Sequence, residues 1–248
     1  MPLSRIAKII ESLNQPSPHL PPTTIYNEGW LLRLLLDWSQ DHQPLPAPFA
    51  FAKGASWFSE ASLPTPFAAS SKKDPLAEGR TKADGIIGHF QVGKTGKTDF
   101  SLLPDATQFV VLEAKLFSGL AIGVSKIPFF DQAARNVACM SETLHQAKID
   151  LATLSSLGFV VLAPESQIKK GLFEAIHGDS IYKKVGQRVQ MFGGTKDIWF
   201  EEWFEPTLEK IAIQTLSWEA YISLVKQNDP QAGSDFGKFY ELCLKFCE

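Results

Sequence analysis

Cysteine is scarce in this chain: Cys139, Cys243 and Cys247 are the three among 248 residues. An odd, sparse set excludes a disulfide framework and suits a reducing compartment. Cys243 and Cys247 stand four apart with no histidine nearby in sequence, so they read as buried thiols of a C-terminal helix in preference to a metal pair. Long apolar runs are missing as well, and none approaches the roughly 20 residues that cross a bilayer. The opening segment mixes Arg5, Lys8 and Glu11 into a short helical pattern and then meets four prolines by residue 22, unlike a secretory leader. A soluble cytoplasmic protein without a membrane partner is the expectation. Neither sign of charge dominates: 24 Lys and Arg against 27 Asp and Glu leave a net charge of −3. That excludes a globally basic nucleic-acid coat while permitting a local basic groove. There is no internal repeat and no low-complexity tract.

What is present is ordinary globular material, 44% hydrophobic and 21% charged, enough for one sizeable core in a single α/β domain spanning 1–248. The run Phe109-Val110-Val111-Leu112-Glu113-Ala114-Lys115-Leu116 organises it. Alternation sends Phe109, Val111, Glu113 and Lys115 to one face and Val110, Leu112, Ala114 and Leu116 to the other. Both faces are apolar until the end of the run, the pattern of a central strand buried on both sides. An acid and a base on one face of such a strand need a partner, a metal or a function.

Around that strand the periodicities predict a helix over 25–39 capped by Thr23 or Thr24, and a short strand near Trp57, Phe58 and Leu63 that carries Glu60. A β-run over 81–92 follows, with Asp84 near its start, then a turn at 93–97 and a short apolar piece at 100–103. After the central strand come a loop at 119–128, a helix over 129–147 with Gln132 and Asn136 beside its buried stripe, and a second buried strand at 158–163. Strand, helix and strand in that order signal a parallel crossover. A helical stretch at 181–191, aromatics at 199–204, a strand at 211–216 and helices near 218–226 and 236–246 complete the chain. The aromatics read as core in preference to a base-stacking platform.

Asp84 together with Glu113-Ala114-Lys115 resembles the catalytic pattern of the PD-(D/E)XK, or restriction-endonuclease-like, nuclease superfamily. The runs Ala83-Asp84-Gly85-Ile86-Ile87-Gly88, Leu112-Glu113-Ala114-Lys115 and Asp131-Gln132 resemble a prokaryotic group within it, over residues 28–163. The resemblance implies an α-β-β-β-α-β core over about 24–165, here with a mixed α/β extension over 166–248. It implies a divalent-metal-dependent nuclease acting on nucleic acid, DNA before RNA. Asp84, Glu113 and the backbone carbonyl of Ala114 would hold Mg²⁺ or Mn²⁺. Lys115 would orient or deprotonate the attacking water, Gln132 would lie near Lys115, and Glu28 would add a carboxylate from the first helix. The chemistry is coherent: phosphodiester hydrolysis needs an oxygen-liganded cation to polarise the phosphate and acidify water. Glu28 has a second reading, as a helix-start acid favoured by the macrodipole. The literal Pro104-Asp105 is rejected as ligand, because eight residues of strand, about 26 Å, separate it from Glu113. In a long hairpin centred near Asp99, Asp84 would face Ala114 and Lys115 instead.

Two rivals remain. Gly88-His89-Phe90-Gln91-Val92-Gly93-Lys94-Thr95 matches the P-loop spacing, although bulky His-Phe-Gln-Val reads as strand and Pro104 follows too soon for a helix. The other is a catalytically silent nucleic-acid-binding module of the same fold. Arg80, Lys82 and Lys126, with Lys94 and Lys97, are candidate phosphate contacts or simply a solvated face, and Lys169-Lys170 and Lys183-Lys184 offer a second basic edge. The oligomeric state is open, a dimer included.

Overall fold

The computed structural model describes residues 2–43, 45–68, 74, 76–93, 99–121 and 127–247. Its first helix, α1 (Pro2–Glu11), precedes the domain's layers; α2 (Glu28–Asp41) begins them. The cap of α2 is Asn27, three residues after Thr24 and four after Thr23, the two caps that the sequence pattern suggests. Its side chain accepts the Trp30 N–H at 3.0 Å and donates to the Thr23 carbonyl at 2.8 Å, so Thr23 and Thr24 lie in the preceding 3-10 turn. Leu31, Leu32, Leu35 and Leu36 form its buried stripe.

Strands β1 (Ser56–Leu63), β2 (Thr81–Gly88) and β5 (Gln108–Ala114) make an antiparallel meander, interrupted by a separate ribbon of β3 (Phe90–Val92) and β4 (Phe100–Leu102). Helix α3 (Gln132–Ala147) then crosses to β6 (Ser156–Ala163), which runs parallel to β5, and β7 (Ala212–Ser217) adds a second parallel neighbour. The sheet order is β1-β2-β5-β6-β7, so β5 is its centre and all seven of its residues are buried, as a two-sided apolar strand requires. Between β6 and β7 lie α4 (Glu165–Lys169), α5 (Gly178–Gln190), α6 (Asp197–Trp199), a π-helical turn (Phe200–Phe204) and α7 (Glu205–Lys210); α8 (Trp218–Asn228) and α9 (Pro230–Cys247) end the chain.

Two apolar cores clothe the sheet. Phe109 and Val111 face α3, α5 and the aromatics Trp199 and Phe204, which pack as core. Val110, Leu112 and Ala114 face α2, α8 and α9. The cysteines are thiols buried or half-buried in these layers, with Cys243 and Cys247 donating to the Asn27 and Tyr26 carbonyls and so tying α9 to the start of α2.

Gly88 to Gly93 of the stretch with P-loop spacing are the end of β2 and the ribbon strand β3; Lys94 and Thr95, where the pattern needs a helix to start, lie outside the described residues, as does Lys97. Gly88 is there for close approach: a Cβ would stand 2.3 Å from the Gln108 carbonyl oxygen. Among the described residues no helix is long and apolar enough to cross a membrane.

Candidate active site

Glu113 is the sole acid of β5 and is only 1% exposed, which obliges every lone pair to find a donor. Its Oε1 accepts from Lys115 Nζ at 2.7 Å and from Gln132 Nε2; its Oε2 accepts from Asn136 Nδ2 at 3.2 Å. The two amides stand one turn apart on α3, whose first turn is aimed at the strand by the Asp131 cap on the Ala134 N–H. The period of two along the strand brings Lys115 back over Glu113, as the sequence predicts.

Asp84 meets Glu113 from β2. The β2–β5 ladder runs from Gly88 opposite Phe109 to Gly85 opposite Leu112. One step further brings Asp84 beside Glu113, a residue short of the expected Ala114 and Lys115. The register is set at His89. Its N–H donates to the Gln108 carbonyl and its own carbonyl accepts from Leu103, so the Pro104-Asp105 turn is looped out between β4 and β5. Asp105 therefore lies at the far end of β5, as its rejection anticipates.

The ladder ends at Asp84, whose side chain takes over: Oδ2 accepts the Ala114 N–H at 2.8 Å. N–H and C=O of one strand residue leave on the same side, so the Ala114 carbonyl also points toward Asp84. The Asp84 and Glu113 carboxyl groups lie close enough for each to act on the titration of the other. Burial, reinforced by the Asp84 carboxylate, pushes the Glu113 pKa up to about 7 despite the Lys115 ammonium. Burial likewise raises Asp84, against the pull of the Ala114 amide and Lys115.

Strand order places a third acid alongside. Glu60 of β1 sits at φ 58°, left-handed backbone that a glutamate adopts only under constraint, and its charge raises the Asp84 pKa further. It pairs with Arg33 at 3.5 Å and with Lys82 at 3.6 Å. Across from it, side-chain alternation slips: Ala83 and Ile86 both join the α3-side core, whereas strict alternation would separate them. A sequence pattern carries no mark of this kink. Asn136 is the other residue whose role the pattern missed, although its spacing of four from Gln132 is a legible signal.

The remaining expected residues are dispersed. Glu28 opens α2 with the Cys243 and Cys247 thiols in its field, and among the described residues no contact joins it to Asp84 or Glu113. Its N-terminal position fits the macrodipole reading. Arg80 forms an ion pair with Asp99, and Lys82 is turned to Glu60. Lys126 lies outside the described residues.

The end of β5 is held from the C-terminal side of the chain. Lys115 N–H donates to the Leu162 carbonyl at 2.8 Å, its carbonyl accepts from Trp218 Nε1 at 2.8 Å, and the Leu116 carbonyl accepts from Gln167. Among the described residues no group of three or more His, Cys, Asp or Glu side chains gathers as a ligand set. The site offers two carboxylates and one carbonyl, a hard, all-oxygen donor set of the kind that Mg²⁺ or Mn²⁺ completes with water and substrate oxygens. Comparison with protein-family models, with curated proteins and with solved structures gave no match to the chain.

Proposed function

We propose that this protein is a divalent-metal-dependent nuclease that hydrolyses phosphodiester bonds, with DNA as the preferred substrate. The carrying observation is the adjacency of the Asp84 and Glu113 carboxyl groups, with the Lys115 ammonium 2.7 Å from Glu113. Two buried acids that hold their protons above the ordinary range lack positive charge, and a divalent cation supplies it. The helix, three-strand meander, helix and parallel strand, α2-β1-β2-β5-α3-β6, support a restriction-endonuclease-like core.

In this reading Asp84, Glu113 and the Ala114 carbonyl hold Mg²⁺ or Mn²⁺, which when bound polarises the phosphate and acidifies water. Gln132 and Asn136 fix the Glu113 rotamer that an ion held between Asp84 and Glu113 would meet. Lys115, held to Glu113 as the ammonium, is placed to orient the attacking water by donating a hydrogen bond to it, and would act as base only after giving up its own proton. A second reading is a silent nucleic-acid-binding module of the same fold. It draws on the closed network in which both Glu113 oxygens already have donors.

Incubation of plasmid, linear and single-stranded DNA and of RNA with Mg²⁺ or Mn²⁺ tests both. Expected are cleavage abolished by EDTA and a loss of at least about 100-fold in Asp84→Ala, the scale of losing a metal's contribution to charge stabilisation. Cleavage that survives both treatments rules the metal-site reading out, and binding without cleavage of any substrate selects the silent module.

A further inference from the structure

A cavity of about 690 Å³ opens between Gly119, Leu120 and the stretch from Pro128 to Asp131 on one side and Leu172, Ile176 and helix α5 on the other. Its walls differ in kind. Leu120, half-buried Phe129 and Ile176 present an apolar side, whereas Ser180, Lys183 and Gln187 project from α5 at helical spacing. The volume lies within the range that takes a small organic ligand, and the lining matches one with a flat apolar body and an anionic group.

The charge is locally positive in a chain whose net charge is −3. Asp131, the one acid among the described lining residues, is already committed: one carboxylate oxygen caps α3 and the other accepts from Lys184 at 2.6 Å. Lys183, exposed at the rim, adds a cation with no carboxylate partner among the described residues. Asp131 also fixes where the cavity lies, because the next residue, Gln132, donates to Glu113. Consecutive Cα atoms are about 3.8 Å apart, so the same turn of α3 forms a wall of the cavity and a wall of the acid site.

We propose that this cavity is a subsite for one nucleotide of a bound strand, next to the bond that is cut, with the base against Phe129 and Leu120 and its phosphate at Lys183. The proposal rests on the phosphodiesterase reading and assigns a task to α5, which lies beyond the sheet core. A nucleotide combines a π-face with an anion, and stacking plus a phosphate contact is how strands are held without sequence readout.

The test is equilibrium binding of a fluorescein-labelled single-stranded DNA oligonucleotide to the full chain in EDTA, across a salt series, with cleavage in Mg²⁺ measured in parallel. Lys183→Glu should weaken binding roughly tenfold at low salt and lower the slope of log affinity against log salt by about one. Lys226→Glu, the same charge change at an exposed position of α8 across the sheet, should leave affinity and cleavage as in the wild type. An abasic oligonucleotide should bind the wild type more weakly than its intact counterpart, and a free mononucleotide should compete only weakly, since the strand supplies the remaining contacts. Equal effects of the two substitutions, or none from Lys183→Glu, overturn the subsite while cleavage by the wild type leaves the nuclease reading standing. A wild type that neither binds nor cleaves nucleic acid overturns both.

Discussion

At Glu113 a carboxyl group is buried on a central strand and surrounded by donors, yet burial and Asp84 together outweigh Lys115. The consequence is a definite sign for stability against pH. A folded-state pKa of about 7 against an ordinary 4.5 means that the native protein holds this proton more tightly than the unfolded chain does. Stability from this group is therefore full below pH 4.5, falls as pH rises toward 7, and is level above it. The whole span is worth on the order of 3 kcal/mol, from about 1.4 kcal/mol per unit. Raised Asp84 and Glu78 act in the same direction, so the contribution of Glu113 must be isolated by substitution. Urea denaturation of metal-free protein between pH 5 and pH 8 should show stability decreasing toward alkaline pH, with a markedly smaller decrease in Glu113→Gln. A wild-type profile that rises over this window would show that Lys115 dominates instead. Added Mg²⁺ should flatten the wild-type profile, because the ion takes over the role of the proton.

At the level of elements, the candidate site is the point where several of them end together. β5 stops after Ala114, the β2 ladder gives way to the Asp84 side chain, and α3 starts at Gln132. Backbone groups freed at such ends need partners. For Lys115 the partner is the indole of Trp218, fully buried at the first position of α8. Trp218→Phe keeps most of the ring and removes the N–H, leaving a buried carbonyl short of a donor at a cost of about 1–2 kcal/mol. If the indole positions Lys115, cleavage should fall by about tenfold in kcat with KM little changed, as expected for a misplaced catalytic group. A stability loss with kcat intact would make Trp218 structural alone.

The same elements show why part of the site was legible. Period-two and helical patterns put Glu113 with Lys115 on one face and Gln132 at the start of a following helix, since these relations are local. The pairing of Asp84 with Glu113 crosses the β3–β4 ribbon, whose own register centres on residue 96; the residues looped out around Pro104-Asp105 shift the β2–β5 register to within one residue of a count centred on Asp99. Glu60 is harder still, since its left-handed backbone is imposed by tertiary context and no glycine marks it. Glu28 illustrates the converse. It falls in the right stripe of α2, but its charge acts on the α9 cysteines, which no pattern over residues 24–165 could foresee.

For the molecule as a whole, the segment after residue 165 is part of the fold that makes the site. β7 pairs along β6 from Gly158 to Ala163, and α8 and α9 cover Val110, Leu112, Val160 and Leu162 from the α2 side. Without them β6 would become a bare edge strand over an exposed apolar face, a combination that favours association over folding. Lys115 and Leu116 would at the same time lose Trp218 and Gln167 as donors to their carbonyls. A chain ending at residue 165, the boundary suggested by the nuclease-like core, should therefore show no cooperative thermal transition and should bind a hydrophobic dye strongly. The full chain should unfold in one transition, since both cores share β5. Circular dichroism and differential scanning calorimetry on the two chains decide the matter. A cooperative transition in the shortened chain, with retained cleavage, would mean that the C-terminal elements are an independent addition, and the arguments from Trp218 and from α5 would then have to be separated from catalysis.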